Sequence, residues 1–231
     1  MTADEAAVEL PAATATRREL ALARALDSAR SRAENRVELF LDAARELVST
    51  NSGEFTVQEV VERSGQSLRT FYQYFAGKHE LLLALFEESI RSVAARLQEA
   101  VDGGTDPLDR LQRFAVEYYR MCRPTVHGRP AGVPGPTIVE FAQQLLTSHP
   151  GEAARAFAPL VVLLEQLLDD AAAAGDVRRG LDHRRIAGVV LQATMFNAFS
   201  TTISGSTSSP DGDVESGALW DLLLRGIGAS S

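Results

Sequence analysis

The sequence predicts an all-α protein, in which a small three-helix unit precedes a larger helical body. Two observations lead to this prediction. Apolar residues recur at the three- and four-residue spacing of a helical face in the long segments, and helix-capping residues separate those segments. Apolar residues make up 45% of the 231-residue chain, which is ample for a helical core. No segment gives a convincing strand pattern.

The three-helix unit is expected within residues 36–80. The apolar face of its first helix begins at Val37. Thr56-Val-Gln-Glu59 is a capping box, which predicts the start of the second helix. Gly65 can adopt the left-handed conformation that ends this helix, and Ser67 can cap a third. The segment therefore predicts helix, tight turn and helix. The first face contains Val37, Phe40, Leu41, Ala44, Leu47 and Val48.

The third helix, over residues 67–74, carries polar, aromatic and basic groups and is predicted to recognise DNA. In a helix-turn-helix, the second helix enters the major groove with its amino-terminal residues at the base edges. Arg69 can donate two hydrogen bonds to guanine there. Phe71 and Phe75 are expected to face the core. The candidate DNA-binding residues are Thr56, Gln66, Ser67, Leu68, Arg69, Thr70, Tyr72, Tyr74 and Lys78.

The distribution of charge supports a local DNA-binding surface. A net charge of −8 argues against a protein that coats nucleic acid, because affinity for DNA begins with neutralisation of phosphates. No acidic residue, however, lies between Arg63 and His79. We therefore expect a small cationic surface on an acidic body.

Residues 1–35 are expected to form a disordered tail followed by a basic helical arm. Residues 1–15 are Ala-rich and acidic, contain Pro11 and have no apolar face to bury. Thr16-Arg-Arg-Glu19 is a second capping box. A DNA contact and a solvated helix remain equally open interpretations of the arm. Its arginines are Arg17, Arg18, Arg24, Arg30 and Arg32, and Arg36 follows directly after it.

A set of residues in the helix-turn-helix segment follows a known pattern: Thr56, Val60, Val61, Gly65, Ser67, Phe71, Tyr72, Tyr74, Phe75, Lys78 and Leu81. With these residues the chain resembles the tetracycline-repressor (TetR) family of bacterial regulators. Gln66 departs from the family pattern, which usually has an apolar residue there. The resemblance implies an all-helical homodimer with a carboxy-terminal ligand pocket. It also implies that the operator DNA is released when a small molecule binds.

Residues 81–231 are expected to form the ligand-binding and dimerisation domain. A long helix from Gly77 joins it to the DNA-binding unit, and further helices are predicted at 108–122, 137–147, 150–174, 182–204 and 214–227. Residues 123–136 are rich in Pro and Gly and predict a loop. Several apolar residues suit a mostly apolar ligand with one or two polar groups, although ordinary core packing explains them equally well. The candidate ligand-binding residues are Phe114, Tyr118, Met121, Phe141, Gln144, Leu145, Phe157 and Val161.

The last two predicted helices are unusually apolar and suit a two-fold helical bundle between subunits. The candidate interface residues are Ile186, Val189, Val190, Ala193, Phe196, Leu219, Trp220 and Leu223.

The sequence offers no catalytic residues, metal site or cofactor, and no enzyme is predicted. The four histidines are scattered without the spacing of a helical metal pair. Cys122 is the single cysteine, and its spacing from His127 across the predicted loop does not indicate a catalytic pair. No signal peptide or membrane span is evident, so a cytoplasmic protein without a membrane partner is expected.

These observations favour a ligand-responsive transcriptional regulator that binds a palindromic operator as a homodimer. The resemblance suggests a repressor that a small-molecule effector releases from double-stranded DNA. One alternative is a helical carrier or enzyme that uses the amino-terminal unit for protein contacts. A second is a ligand-independent DNA-binding activator. The effector and the operator sequence cannot be predicted from the residues.

Overall fold

The computed structural model describes residues 16–50, 55–122, 136–203 and 212–228, and helices account for almost all of them. This confirms the predicted all-α fold. In these ranges the only pairing of strand type is an isolated bridge between Val177 and Gly228. The predicted tail at 1–15 and nearly all of the predicted loop lie outside the described residues. The helices are α1 (Arg17–Thr50), α2 (Val57–Ser64), α3 (Leu68–Tyr74), α4 (Lys78–Asp102), α5 (Pro107–Cys122), α6 (Pro136–Ser148), α7 (Pro150–Ala174), α8 (His183–Ile203) and α9 (Gly212–Ile227).

The first helix is longer than the apolar pattern suggested. α1 runs for 34 residues, so the basic arm and the first helix of the three-helix unit are one continuous element. The arm lacks Pro and Gly and is rich in Ala, Leu, Arg and Glu, which are good helix formers. Side chains before Val37 are almost all exposed, including Leu22 at 55% and Leu26 at 69%. The buried face begins only at Phe40.

Aromatic side chains form the core of the three-helix unit. The Phe40 ring of α1 packs edge-on against the Phe71 and Phe75 rings, with centroids 5.4 Å and 6.2 Å away. Phe71 is completely buried and Phe75 is 6% exposed, which confirms their predicted core positions. Val60 of α2 is also completely buried. The orientation of α3 is therefore set by its packing against α1.

α4 connects this unit to the larger body. Buried residues follow its length from Leu81 to Val101, and it packs against α5, α6 and α7. The Phe86 ring of α4 lies edge-on to Phe157 of α7 and Phe141 of α6, with centroids 5.3 Å and 6.3 Å away. α5 in turn contacts α8 and α9. One continuous helix thus runs from the helix-turn-helix into the core of the body.

Among the residues that the structure describes, no helix combines the length and apolar character needed to cross a membrane.

Candidate nucleic-acid interface

Backbone hydrogen bonds fix the turn between α2 and α3. Gly65 lies in the left-handed region, with φ 65° and ψ 20°. Its N–H donates to the Glu62 carbonyl, and the Gln66 N–H donates to the Val61 carbonyl at 3.2 Å. This pair of bonds is the Schellman motif, which satisfies carbonyls at a helix end. The turn therefore closes even though Gln66 replaces the apolar residue of the family pattern.

The cap of α3 holds the first turn of the recognition helix. The Ser67 hydroxyl accepts a 3.0 Å hydrogen bond from the Thr70 N–H. The two hydroxyls of Ser67 and Thr70 also lie 2.8 Å apart and share a hydrogen bond. The exposed Arg69 between them therefore projects from a fixed backbone.

The two faces of α3 differ sharply. Phe71 points into the core, where its ring lies 5.5 Å from that of Phe75. On the other side, Leu68 is 42% exposed and Tyr72 is 56% exposed. Leu68, Arg69 and Tyr72 thus form the outward surface of the helix. Thr70 and Tyr74 are half-buried at its margins.

Lys78 and Thr56 make structural bonds of their own. The Lys78 ammonium donates to the Phe55 carbonyl at 2.6 Å and lies 4.4 Å from the centre of the Phe55 ring. It therefore ties the start of α4 to the segment before α2. The Thr56 N–H and hydroxyl donate to the Glu59 carboxylate at 2.6 Å and 2.8 Å. The Glu59 N–H donates back to the Thr56 hydroxyl at 3.2 Å, completing the predicted capping box.

Acidic groups lie beside the predicted DNA-binding surface. Hydrogen bonds from Thr56 and the charge of Lys78 lower the pKa of the Glu59 carboxyl, so this group is anionic at neutral pH. Arg63 is 2.5 Å from the Glu46 carboxylate of α1. These pairs offset part of the positive charge at α2, and the cationic character of the outward surface depends mainly on Arg69.

The structure contains a capped helix, a tight turn and a second capped helix. The second helix has a buried aromatic face and an exposed polar first turn. These features define a helix-turn-helix DNA-binding domain. Residues 40–85 match the family model described as bacterial regulatory proteins, tetR family. Over these residues the amino-terminal domain of the chain is similar to that of the tetR family. The matched family consists of regulators and not of enzymes.

A curated relative supports this likeness over part of the chain. The HTH-type transcriptional activator FasR of Mycolicibacterium smegmatis is 31% identical over 88 residues, which are 38% of this chain and 40% of the relative. The chain therefore matches about two-fifths of that relative's length.

Two solved structures share the fold over most of the chain. FadR from Bacillus subtilis, crystallised with stearoyl-CoA, has a TM-score of 0.63 and 18% identity, covering 82% of this chain and 98% of FadR. The reduced form of E. coli NemR has a TM-score of 0.59 and 15% identity, covering 85% of this chain and 98% of NemR. At these identities the likeness shows the fold alone.

The candidate ligand-binding residues mostly lie in one apolar core. Phe114 and Tyr118 stack on α5 with ring centroids 6.0 Å apart, and the Tyr118 hydroxyl donates to the Leu191 carbonyl of α8 at 3.2 Å. Gln144 is exposed, so the structure does not bring this polar group into the core. The members buried in or packed against the core are Phe114, Tyr118, Met121, Phe141, Leu145, Phe157 and Val161.

The candidate interface residues fall into two groups. Val189, Ala193 and Phe196 form an exposed stripe on α8, with Val189 59% and Phe196 64% exposed. Trp220, by contrast, is only 6% exposed, because α9 packs against α5 of the same chain. Ile186, Val190 and Leu223 are half-buried against the core. The side chain of Leu219 lies outside the described part of the structure.

Two predictions about reactive groups can be compared with the structure. Burial raises the pKa of the Cys122 thiol to about 12, although a hydrogen bond with Tyr118 acts in the opposite direction. The thiolate needed for nucleophilic chemistry is therefore scarce at neutral pH. His127 lies outside the described residues. The four histidines are scattered along the sequence, but the fold brings His79 and His149 together with Glu152. Sequence spacing did not indicate this group, because only His149 and Glu152 are close along the chain.

Proposed function

We propose that the protein is a ligand-responsive transcriptional repressor that binds a palindromic operator as a homodimer and is released by a small, mostly apolar effector. The family match supports transcriptional regulation through DNA binding. The observation that carries the proposal is the exposed first turn of α3, whose backbone the Ser67 cap and the Gly65 turn hold in place.

The proposed DNA contacts follow from the exposure of each side chain. Arg69 reads a base edge, because it is exposed in the turn that would approach the major groove. Tyr72 and Lys78 contact phosphates, which position the helix without reading sequence. The Lys78 ammonium has three donors and uses one on the Phe55 carbonyl, leaving two for DNA. Ser67, Leu68, Thr70, Gln66, Tyr74 and Thr56 complete the proposed surface.

The proposed dimer forms through α8 and α9. The exposed stripe of Val189, Ala193 and Phe196 has the spacing of one helical face, and Leu222 of α9 is 69% exposed. Clustered exposed apolar residues of this kind mark interaction surfaces more often than scattered ones do. A two-fold dimer would present two copies of α3 to half-sites about one helical turn of DNA apart.

The proposed effector site lies between α4, α5, α6 and α7, around Tyr118, Met121, Phe141 and Phe157. These buried side chains would surround a mostly apolar molecule. Stearoyl-CoA is bound by the structural neighbour FadR, and long-chain acyl compounds are therefore the first class to test. Because Gln144 is exposed, the polar groups of the effector would need partners other than this residue.

α4 is the proposed link between effector and DNA. Its first residue, Lys78, contacts the segment before α2, and Phe86 farther along packs against the proposed effector site. An effector that displaced the middle of α4 would move Lys78 relative to the phosphates. A coupling free energy of about 1–3 kcal/mol would change DNA affinity by one to two decades, and DNA would weaken effector binding by the same factor.

Two experiments test this proposal. Selection of bound sequences from random duplexes should recover a palindrome, and recovery of no preferred sequence would contradict it.

A panel of fatty acids and their CoA thioesters should include a compound that releases the selected duplex. Met121→Trp should abolish that release while free-protein affinity stays near normal. A folded Met121→Trp protein with an unchanged response would place the effector site elsewhere.

Transcriptional activation is the second candidate function, because the curated relative FasR is named as an activator. The two functions predict opposite results in a reporter strain carrying the selected operator at its promoter. Repression predicts that reporter output rises when the gene for this protein is deleted. Activation predicts that it falls.

A further inference from the structure

A cluster of metal-ligating side chains lies where α4 meets α7. His79 is the second residue of α4, His149 is the N-cap of α7, and Glu152 lies in the first turn of α7. One ligand atom from each of the three residues lies within 4.8 Å of the other two. The His79 Nε2 and the Glu152 Oε2 are 2.8 Å apart, and the two imidazole rings have centroids 4.7 Å apart.

Backbone hydrogen bonds hold two of these residues, His149 and Glu152, at the junction of α6 and α7. The His149 N–H donates to the Leu145 carbonyl at 2.8 Å, and the His149 carbonyl accepts from the Glu152 and Ala153 N–H groups at 3.0 Å. These bonds join the end of α6 to the start of α7. The His79 ring also lies 5.5 Å from that of Phe141, which is buried beneath the cluster.

Two imidazoles and a carboxylate are ligands that late first-row divalent metal ions accept, whereas Mg²⁺ and Ca²⁺ prefer oxygen alone. Metal–ligand bonds of about 2.0–2.2 Å in a tetrahedral site place ligand atoms roughly 3.4 Å apart. His79 and Glu152 would separate slightly from their 2.8 Å contact, and the His149 ligand atom already lies within 4.8 Å of both. The His79 and Glu152 side chains are 43% and 29% exposed, so they have room for such rotations and an ion can reach them from solvent.

We propose that His79, His149 and Glu152 bind a divalent transition-metal ion, with Zn²⁺ as the expected occupant and water in the fourth position. The bound ion ties the first turn of α4, directly after the recognition helix, to the first turn of α7. The proposal concerns metal binding and does not depend on the DNA or effector proposed above.

The binding test uses the full-length chain without a histidine tag, stripped of metal with a chelator. Competition with a chromophoric chelator should detect about one Zn²⁺ per chain, with an affinity in the micromolar range or tighter. His79→Gln, His149→Gln and Glu152→Gln should each weaken binding by about tenfold or more, because each removes a ligand. Co²⁺ should give the visible absorption of a tetrahedral site in the native chain and lose it in the variants.

His183→Gln is the matched control. His183 also pairs with a carboxylate, since its Nδ1 is 2.6 Å from the Asp169 Oδ1. The described residues place no third metal-ligating group beside that pair. His183→Gln should therefore leave Zn²⁺ affinity unchanged. A surface ion pair between His79 and Glu152 without a metal function predicts instead that no variant alters Zn²⁺ binding.

Amide hydrogen exchange tests the location of the ion independently of affinity. Zn²⁺ should slow exchange at the starts of α4 and α7 in the native chain and have no such effect in His149→Gln. The proposal fails if Zn²⁺ does not bind at about 100 μM, if His149→Gln binds as tightly as the native chain, or if exchange is slowed only elsewhere.

Discussion

The two cationic residues among the proposed DNA contacts have different surroundings. Arg69 is exposed in a turn fixed by the Ser67 cap, and its role can be tested by DNA binding alone. Lys78 donates to a carbonyl of the buried residue Phe55. Removing Lys78 therefore changes stability as well as charge, and the two effects must be measured separately.

Arg69→Ala is expected to lower affinity for the selected operator by about 1–3 kcal/mol, because it removes the proposed bidentate contact to a base. Affinity for random duplexes should change little. Fluorescence anisotropy with both duplexes measures the difference. Arg91→Ala, which removes the same charge from an exposed position on α4, is the control. Equal losses on both duplexes would make Arg69 a phosphate contact.

Lys78→Met is expected to lower the free energy of unfolding by about 1–3 kcal/mol, because it removes a charged donor from the Phe55 carbonyl. Urea unfolding followed by circular dichroism measures this change. Lys78→Arg keeps a charge and a donor and should recover most of the loss. Under conditions where Lys78→Met is folded, the log–log salt slope of DNA binding should fall by about 1 per subunit. Unchanged stability would mean that the bond to Phe55 contributes nothing.

At the scale of the elements, local signals predicted much of the fold. The start of α2, the Gly65 turn and the start of α3 each depend on residues within one helical turn, so the sequence contains the information needed to place them. The arm was predicted to be helical, but its continuity with the first helix of the three-helix unit was not. The apolar face begins only at Val37, and the arm continues the helix through propensity without burial. Hydrophobic periodicity detects helices that bury an apolar face, but it does not detect fully exposed helices.

Gly65→Ala tests whether the turn depends on the left-handed backbone. A Cβ at Gly65 would meet no atom within 4 Å, so the expected loss of about 1 kcal/mol comes from backbone conformation alone. Gly151→Ala is the matched control, because its Cβ is equally unobstructed but its φ is not positive. Urea unfolding should show destabilisation only for Gly65→Ala. Equal free energies of unfolding for Gly65→Ala and the native chain would contradict this account.

Removal of the arm tests the two interpretations that the sequence left open. A chain that begins at Asn35 should keep its free energy of unfolding within about 1 kcal/mol, because it loses almost only exposed side chains. A DNA-contacting arm predicts weaker binding, with a salt slope shallower by about 0.9 for each lost phosphate contact. A chain that begins at Thr16 keeps all the arm arginines and is the control. An unchanged slope in the shorter chain would identify a solvated helix.

At the scale of the whole molecule, contacts between distant segments could not be predicted from the sequence. Trp220 was predicted to lie at the interface, yet it is only 6% exposed within the protomer, where α9 packs against the distant segment α5. His79 and Glu152 meet for the same reason, since the packing of α4 against α7 brings them together. Periodicity identifies an apolar face but cannot tell whether its partner belongs to the same chain or to another.

This distinction determines how the proposed dimer should be tested. Val189→Asp combined with Phe196→Glu places charges on two exposed positions of α8 and should produce folded monomers, which analytical ultracentrifugation measures. Leu22→Asp combined with Leu26→Glu is the matched control, because these leucines are similarly exposed but lie on the arm. Trp220→Glu should instead destabilise the protomer, since it buries a charge.

The monomers should also bind DNA differently from the native protein. Each would carry one recognition helix, so affinity for the full palindrome should fall much more than affinity for an isolated half-site. The arm control should remain dimeric, which separates loss of the α8 surface from a general effect of added charge. An intact dimer in the α8 double variant would place the interface on another surface.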